Sequence, residues 1–383
     1  MEEERSLSLL QLMVNEGLRV AWQRRLPKQD IAASSATLLT YGSYGLGVHG
    51  SKLDIDAFCI GPYFATMVDD FFIVLYNMLK SRPEVSEIHY VKDAKVLLMR
   101  FEFDGISINL PFVQLKVLVV LENLDILNPV FLRDIDETGW KSLSRVLANT
   151  RICRIVPDLK KFQSMLRCVK FWAKRRGVYG NLNGLLGGIH LAILAAFVCQ
   201  CDPYPWPRPV ELQDGMLHPT LNPTETRLYM PIRLPFSPYE YCHSNITKST
   251  FYKIRTEFLR GHNLTKDLLK FDFDWHNVLE PFPYTKKYFR FLKIFLLASN
   301  QDEFGDWVGW IKSCFRCLLI KLEEVQGLCD PNPVEYIDVN IVDPHVIFYW
   351  GLQAGKTNAI DIKSVKDVFW KNINTEYQGP FGK

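Results

Sequence analysis

Apolar and polar residues alternate at helical spacing from Ser6 to Leu26, the pattern of a helix that buries one face. The next segment ends in TLLTYGSYG, residues 37–45, and reads as a strand entering a glycine-rich turn near Gly42. LDIDAFCIGP, residues 53–62, is a strand bounded by Gly61 and Pro62, followed by a helix over about 66–81. VLLMRFEFDGISINLPF, residues 96–112, supplies two strands around the turn Asp104-Gly105. Together these predict an α+β domain. From Asp158 the pattern becomes helical: LKKFQSMLRCVKFWAKRRG, GLLGGIHLAILAAFVCQ and the stretch 249–261, with proline-rich breaks between 203 and 236. Beyond a last long helix ending near Gly327, VEYIDVNIVD, VIFYWGLQAG and IDIKSVKDVFWKNI read as strand, strand, then strand into helix. They open a small α+β domain that stops short of its last strand.

Composition narrows the picture. At 383 residues the chain exceeds what one core usually supports, so two or three domains are expected. Hydrophobic residues make up 48% and charged residues 23%, the balance of a chain that folds nearly throughout. The acidic start MEEERSLSLL is unlike a secretory signal, which predicts an intracellular protein. The longest apolar run, Leu185 to Cys201, is interrupted by Gly187, Gly188, His190 and Gln200, so it predicts a buried helix rather than a membrane span. Nine cysteines without regular spacing read as reduced thiols. Cys314 and Cys317 lie in a helical pattern, where their spacing places both on one packed face. A net charge of +3 is too small to indicate nucleic-acid binding by itself. The clusters Lys174, Arg175, Arg176 and Lys286, Lys287 fit phosphate contacts and solvated helix faces equally well.

The chemistry concentrates in YGSYGLGVHGSKLDIDAFCIGP, residues 41–62. Gly42 lets backbone N–H groups approach a phosphate, Ser43 adds a hydroxyl donor, and a helix starting there would aim its positive end at the same anion. Asp54 and Asp56 stand two apart on a strand and so share a face, where hard oxygen ligands suit Mg²⁺. Each feature alone is commonplace. A Gly-Ser turn followed eleven residues later by Asp-x-Asp resembles the signature of the DNA polymerase-β-like nucleotidyltransferases.

The resemblance narrows to the eukaryotic, plant-like poly(A) polymerases through GSYGLGVHG, DIDAFCIGP, FDGISINLPF, VKFWAKRRGVYGNLNGLLGGIH, RLYMPIRLP and DWVGWIKSCFRCLLIKLEE, in that order. It implies a nucleotidyltransferase domain over 1–157, whose N-terminal helix could pack on the next domain, a helical middle domain over 158–325, and a truncated RRM-like RNA-binding domain over 326–383. It implies AMP transfer from ATP to RNA 3′ ends with Mg²⁺ or Mn²⁺. The site assignments follow from the same resemblance. Gly42 and Ser43 would hold the ATP phosphates, Tyr41 would be part of the same ATP site, Asp54 and Asp56 would hold the metal, and Lys170 would reach the triphosphate. Tyr179 would line the pocket, Asn181 would lie near the adenine, and Gly188 and Ile189 would form the wall against the base. Cleavage and polyadenylation factors are the implied partners, with no membrane. The nucleus is the implied compartment, and the cytoplasm is the alternative because the relatives' basic tail is absent.

Three departures stand out. Asn109 occupies the position of the family's third catalytic aspartate, the segment between FVCQ and PWPRP is short, and the C-terminal domain lacks its last strand; Gly50 replaces a frequent threonine. An amide has no net charge and accepts no proton at neutral pH. The rival reading is therefore an impaired homologue that binds RNA or a processing partner; a third, a terminal uridylyltransferase, is opposed by the extended poly(A) polymerase resemblance. Glu102 and Asp104 stand an odd number of residues from Asn109, so a regular strand would turn them to the other face.

Overall fold

Leu10, Val14, Leu18 and Trp22 stand four residues apart and are all buried, which fixes the inward face of the first helix, α1 (Glu2–Trp22). The computed structural model describes residues 2–23, 26–50, 54–91, 97–121, 123–132, 135, 137–201, 229–232, 234, 245–266, 268, 273–299, 301–353 and 362–376. The chain forms two compact units. The first is built on 1–165, with 196–205 returning to it, and the second on 166–195 and 239–383.

In the first unit α1 packs on α2, a helix of π type over Met67–Leu75 continuing as α over Tyr76–Lys80. Thr66 caps its start by accepting from the N–H groups of Asp69 and Asp70, while Asp70 Oδ2 accepts from Thr66 N at 2.7 Å. Both helices cover a five-stranded sheet of β1 (Thr37–Tyr41), β2 (Ile55–Gly61), β3 (Val85–Val91), β4 (Leu98–Phe103) and β5 (Ile106–Gln114). The strand order is β1-β2-β5-β4-β3, and only β2 and β5 pair in parallel. Ile55, Ala57, Cys59, Ile108, Leu110 and Phe112 face the helices. By the two-residue period, Asp56 and Asn109 face the other way. The helix α3 (Glu137–Ile155) packs against β1 and β5. The apolar stripe of α1 is thus buried in the core of the first unit.

The second unit takes most of α4 (Leu159–Arg175), the start of α5 (Gly188–Cys201), α6 (Lys248–Thr265) and a second sheet. That sheet consists of β6 (Arg290–Leu297), β7 (Cys329–Pro331) and β8 (His345–Leu352), antiparallel in the order β6-β8-β7. Helices α7 (Gln301–Ser313), α8 (Phe315–Val325) and α9 (Ile362–Glu376) pack on it. Phe315 of α8 meets Phe348 and Trp350 of β8 edge-on, at ring separations of 5.2 and 5.0 Å.

A boundary at 325/326 would therefore cut one core, since β6 and both preceding helices pack with β8. The strand expected over 334–343 is reduced to one bridge, Tyr336 to Ile347, because Asp338 Oδ1 accepts from Asn340 N at 3.0 Å and turns the chain. Cys314 is buried at the break between α7 and α8 while Cys317 is exposed, so the two do not share a packed face. The strand expected just before α9, the short segment after FVCQ and part of RLYMPIRLP lie outside the described residues.

Candidate active site

The chain leaves β1 at Tyr41 and makes a single helical turn, Gly42–Gly45. Gly42 has φ +65°, and a Cβ there would fall 2.4 Å from Asp56 Oδ2. Only glycine lets this turn lie directly against that carboxylate. Asn149 of α3 fastens the turn by donating to Gly42 O at 2.9 Å, and Gln163 of α4 does the same to Leu46 O at 3.1 Å. Ser43, half-buried, is the second residue of the turn. The turn is too short to carry a sizeable helix dipole, so its individual N–H groups and the Ser43 hydroxyl are what it can offer an anion.

Tyr41 itself is buried, edge-on to Phe58 at 6.1 Å. Burial, and next the charge of Asp56, push its hydroxyl up to about 12, and Arg145 of α3 hydrogen-bonds to it. Its side chain is therefore held in the interior of the first unit behind the turn.

Asp54 is exposed immediately before β2, and Asp56 is half-buried one residue inside it. Asn109 pairs with Asp56 across β2 and β5, and Arg100 pairs with Asn109 across β4 and β5. Asn109 Nδ2 donates to Asp56 Oδ1 at 3.2 Å, and Asn109 Oδ1 accepts from Arg100 Nε at 3.0 Å. Burial raises the Asp56 carboxyl above the usual carboxylate range; the Asn109 hydrogen bond and the guanidinium groups of Arg145 and Arg100 oppose the rise, while Asp54 adds to it.

Glu102 shares the face of Asn109, contrary to the parity expectation. In a hairpin with a two-residue turn, cross-strand partners differ by an odd number, and here Glu102 pairs with Ser107 as Arg100 pairs with Asn109. Glu102 is engaged with Ser86 Oγ at 3.3 Å.

In the second unit Lys170 is half-buried on α4, and its ammonium is held below the usual lysine range by burial and by Lys174. Lys174 lies over the Tyr179 ring at 5.5 Å. Tyr179 bridges to Leu186, closing a loop in which Asn181 begins a 3₁₀ turn. Gly188, whose Cβ would stand 3.5 Å from Tyr179 Oη, and Ile189 then open α5. Asn245 donates to Asn181 O at 3.1 Å, while the Asn181 side-chain oxygen is buried without a partner. Gly188 thus lies against Tyr179, and a Cβ at the neighbouring Gly187 would lie 3.3 Å from Asn181 Cβ.

Residues 2–156 match the poly(A) polymerase nucleotidyltransferase domain, and residues 161–210 match the poly(A) polymerase central domain. Nuclear poly(A) polymerase 3 of Arabidopsis thaliana is 54% identical over 100% of this chain and 83% of its own length. The chain belongs to the poly(A) polymerase family. Nuclear poly(A) polymerase 1 of the same plant is 34% identical over 97% of this chain. The chain spans 57% of that relative's length, and 52% and 48% of two further plant nuclear poly(A) polymerases. A solved cytoplasmic RNA terminal U-transferase aligns over 73% of this chain and 91% of its own, with a TM-score of 0.44 and 15% identity.

Within a poly(A) polymerase framework, the sequence reading missed Arg100, Arg145 and Asn149. Arg100 could have been found by folding the Asp104-Gly105 hairpin on paper, because its register sets residue 100 opposite 109. Arg145 and Asn149 have no local motif. In the basic run ending in Arg176, Lys174 and Arg175 are exposed, as on a solvated helix face, whereas Arg176 is buried and paired with Glu257 at 2.7 Å.

Proposed function

We propose that the chain transfers AMP from ATP to an RNA 3′ end, with the first unit handling the phosphates and the metal. The observation that carries this is the packing of the Gly42 turn against Asp56, beside Asp54, in a chain 54% identical to a poly(A) polymerase. The donor set suits a hard divalent cation: two carboxylates, one of them short of hydration and raised in pKa, with their charge only partly offset. Asp54 and Asp56 would hold Mg²⁺ or Mn²⁺, which when bound supplies positive charge to phosphate oxygens. The turn at Gly42 and Ser43 would hold the phosphates through N–H and hydroxyl donors. In the second unit the Lys170 ammonium is assigned to the departing pyrophosphate as a point charge, and its desolvation strengthens that interaction.

Adenine recognition is assigned to the orphaned Asn181 oxygen, which would accept a hydrogen bond from the exocyclic amino group. Gly188 leaves room for the base and Ile189 gives it an apolar contact. Uracil offers a carbonyl where adenine offers that amino group, so ATP should be favoured over UTP. We further assign the β6-β8-β7 sheet with α7 to α9 as an RRM-like module for RNA, the nucleus as the compartment, and RNA processing factors as partners. Extension of an oligo(A) primer with ATP and with UTP tests the reading. ATP should be used preferentially and Asn181→Ala should erase the preference; equal use by wild type would sink the adenine assignment. A folded chain that binds RNA but never extends it would favour the impaired-homologue reading.

A further inference from the structure

Arg100, Asn109 and Asp56 lie in one row across β4, β5 and β2. Their hydrogen-bonding capacities leave a single arrangement. A guanidinium only donates, so the Asn109 oxygen must face Arg100, and it does so at 3.0 Å. The amide nitrogen is thereby turned to Asp56, where it donates at 3.2 Å. A carboxylate at 109 would bring two anionic oxygens to that separation, tolerable only with a cation or a proton between them. The amide bridges the same gap with a hydrogen bond and removes the need for the cation. Among the described residues no three His, Cys, Asp or Glu side chains gather as a metal-ion site.

We infer that Arg100 and Asn109 together fill, with a hydrogen bond, the position of a second divalent ion, so that the site takes one ion where a two-metal polymerase site takes two. Arg100 is a positioning residue: it holds the amide with its donor toward Asp56. The inference rests on the reading of Asp54 and Asp56 as ion ligands.

Mn²⁺ titration of the full chain, followed by electron paramagnetic resonance without nucleotide, tests both parts. Wild type should bind one ion per chain and Asn109→Asp two, with circular dichroism showing each variant folded. Arg100→Met frees the amide to turn its oxygen to the ion, so Mn²⁺ should bind about tenfold more tightly, the lower end of typical effects for groups that orient a metal ligand. A residue that merely supported the fold would weaken binding when removed. Arg100→Lys separates charge from orientation: it should bind more tightly than wild type, and wild-type behaviour would overturn the positioning role. Two ions in wild type, lost in Asp54→Ala, would overturn the one-ion inference alone. No ion bound by either wild type or Asn109→Asp would overturn the underlying reading as well.

Discussion

Two of the places where carboxylates lie near cations have opposite outcomes. In the second unit Lys253 and Asp330, each with a side chain 5% exposed, pair at 2.6 Å. Asp330 also accepts from Tyr284 Oη at 2.8 Å and Tyr288 Oη at 2.6 Å, so both of its oxygens are occupied. Lys253 lies 4.4 Å from the ring centres of both Phe282 and Tyr284. In the first unit Asp56 has an amide donor from Asn109, and Asp54 lies exposed in front of it. The buried pair is closed off from solvent with both carboxylate oxygens engaged, whereas the pair at the start of β2 keeps anionic oxygens nearer the surface. Burial and the number of donors per oxygen separate a structural ion pair from a site, because a buried charge persists only when fully satisfied.

The sharpest way to break that contrast is to remove a carboxylate from each place. Asp54→Ala or Asp56→Ala should leave folding close to wild type by thermal melting and remove primer extension, by at least the roughly 10² to 10⁴-fold that one positioned catalytic group contributes. Asp330→Ala should do the reverse. It strands the Lys253 ammonium and costs about 3–5 kcal/mol in urea unfolding, with activity tracking the folded fraction. Replacing the pair together, Lys253→Met with Asp330→Leu, should recover most of that loss. If the double variant is as unstable as the single one, the tyrosines depend on Asp330 more than the lysine does.

Much of the first unit could be read in advance because its strands alternate and its turns are marked. The Asp104-Gly105 turn has φ of 50° and 75°, the backbone that an Asp-Gly hairpin predicts. Asp54, Asp56 and Asn109 were legible as a motif. β6 was not: RFLKIFLL is apolar on both faces, so it lacks a two-residue period, although the strand alternates between half-buried and exposed residues. Arg176 was illegible for the same physical reason as Asp330. Its partner Glu257 is far along the chain, and nothing in a run of basic residues tells which of them will be buried.

A smaller effect sharpens the nucleotide side. Lys170→Ala removes one charge-assisted contact, worth roughly 1.5–3 kcal/mol. Binding of ATP should weaken by about tenfold or more in equilibrium titration, while RNA affinity and the unfolding midpoint stay put. Unchanged ATP binding would remove Lys170 from the triphosphate and leave it as a partly buried helix lysine.

The smallest effect concerns the tuning of Asp56. Burial raises its carboxyl pKa, and Arg145 is one of the groups that holds the rise in check. The folded chain therefore binds this proton more tightly than the unfolded chain does. Asp56 contributes stability that is present below the unfolded carboxylate value and lost as pH rises through the raised one. Ion binding runs the other way, since it needs the ionised form, so Mn²⁺ affinity should fall on acidification at a higher pH than for an ordinary aspartate. Arg145→Met removes a cation and should move that acid limb to still higher pH. Because Arg145 is exposed, the shift should be a fraction of a pH unit and should shrink as salt is added. Mn²⁺ titrations across pH at low and high salt measure it. A limb that moves to lower pH, or a shift that grows with salt, would show that Arg145 reaches Asp56 through its hydrogen bond to Tyr41 rather than through its charge.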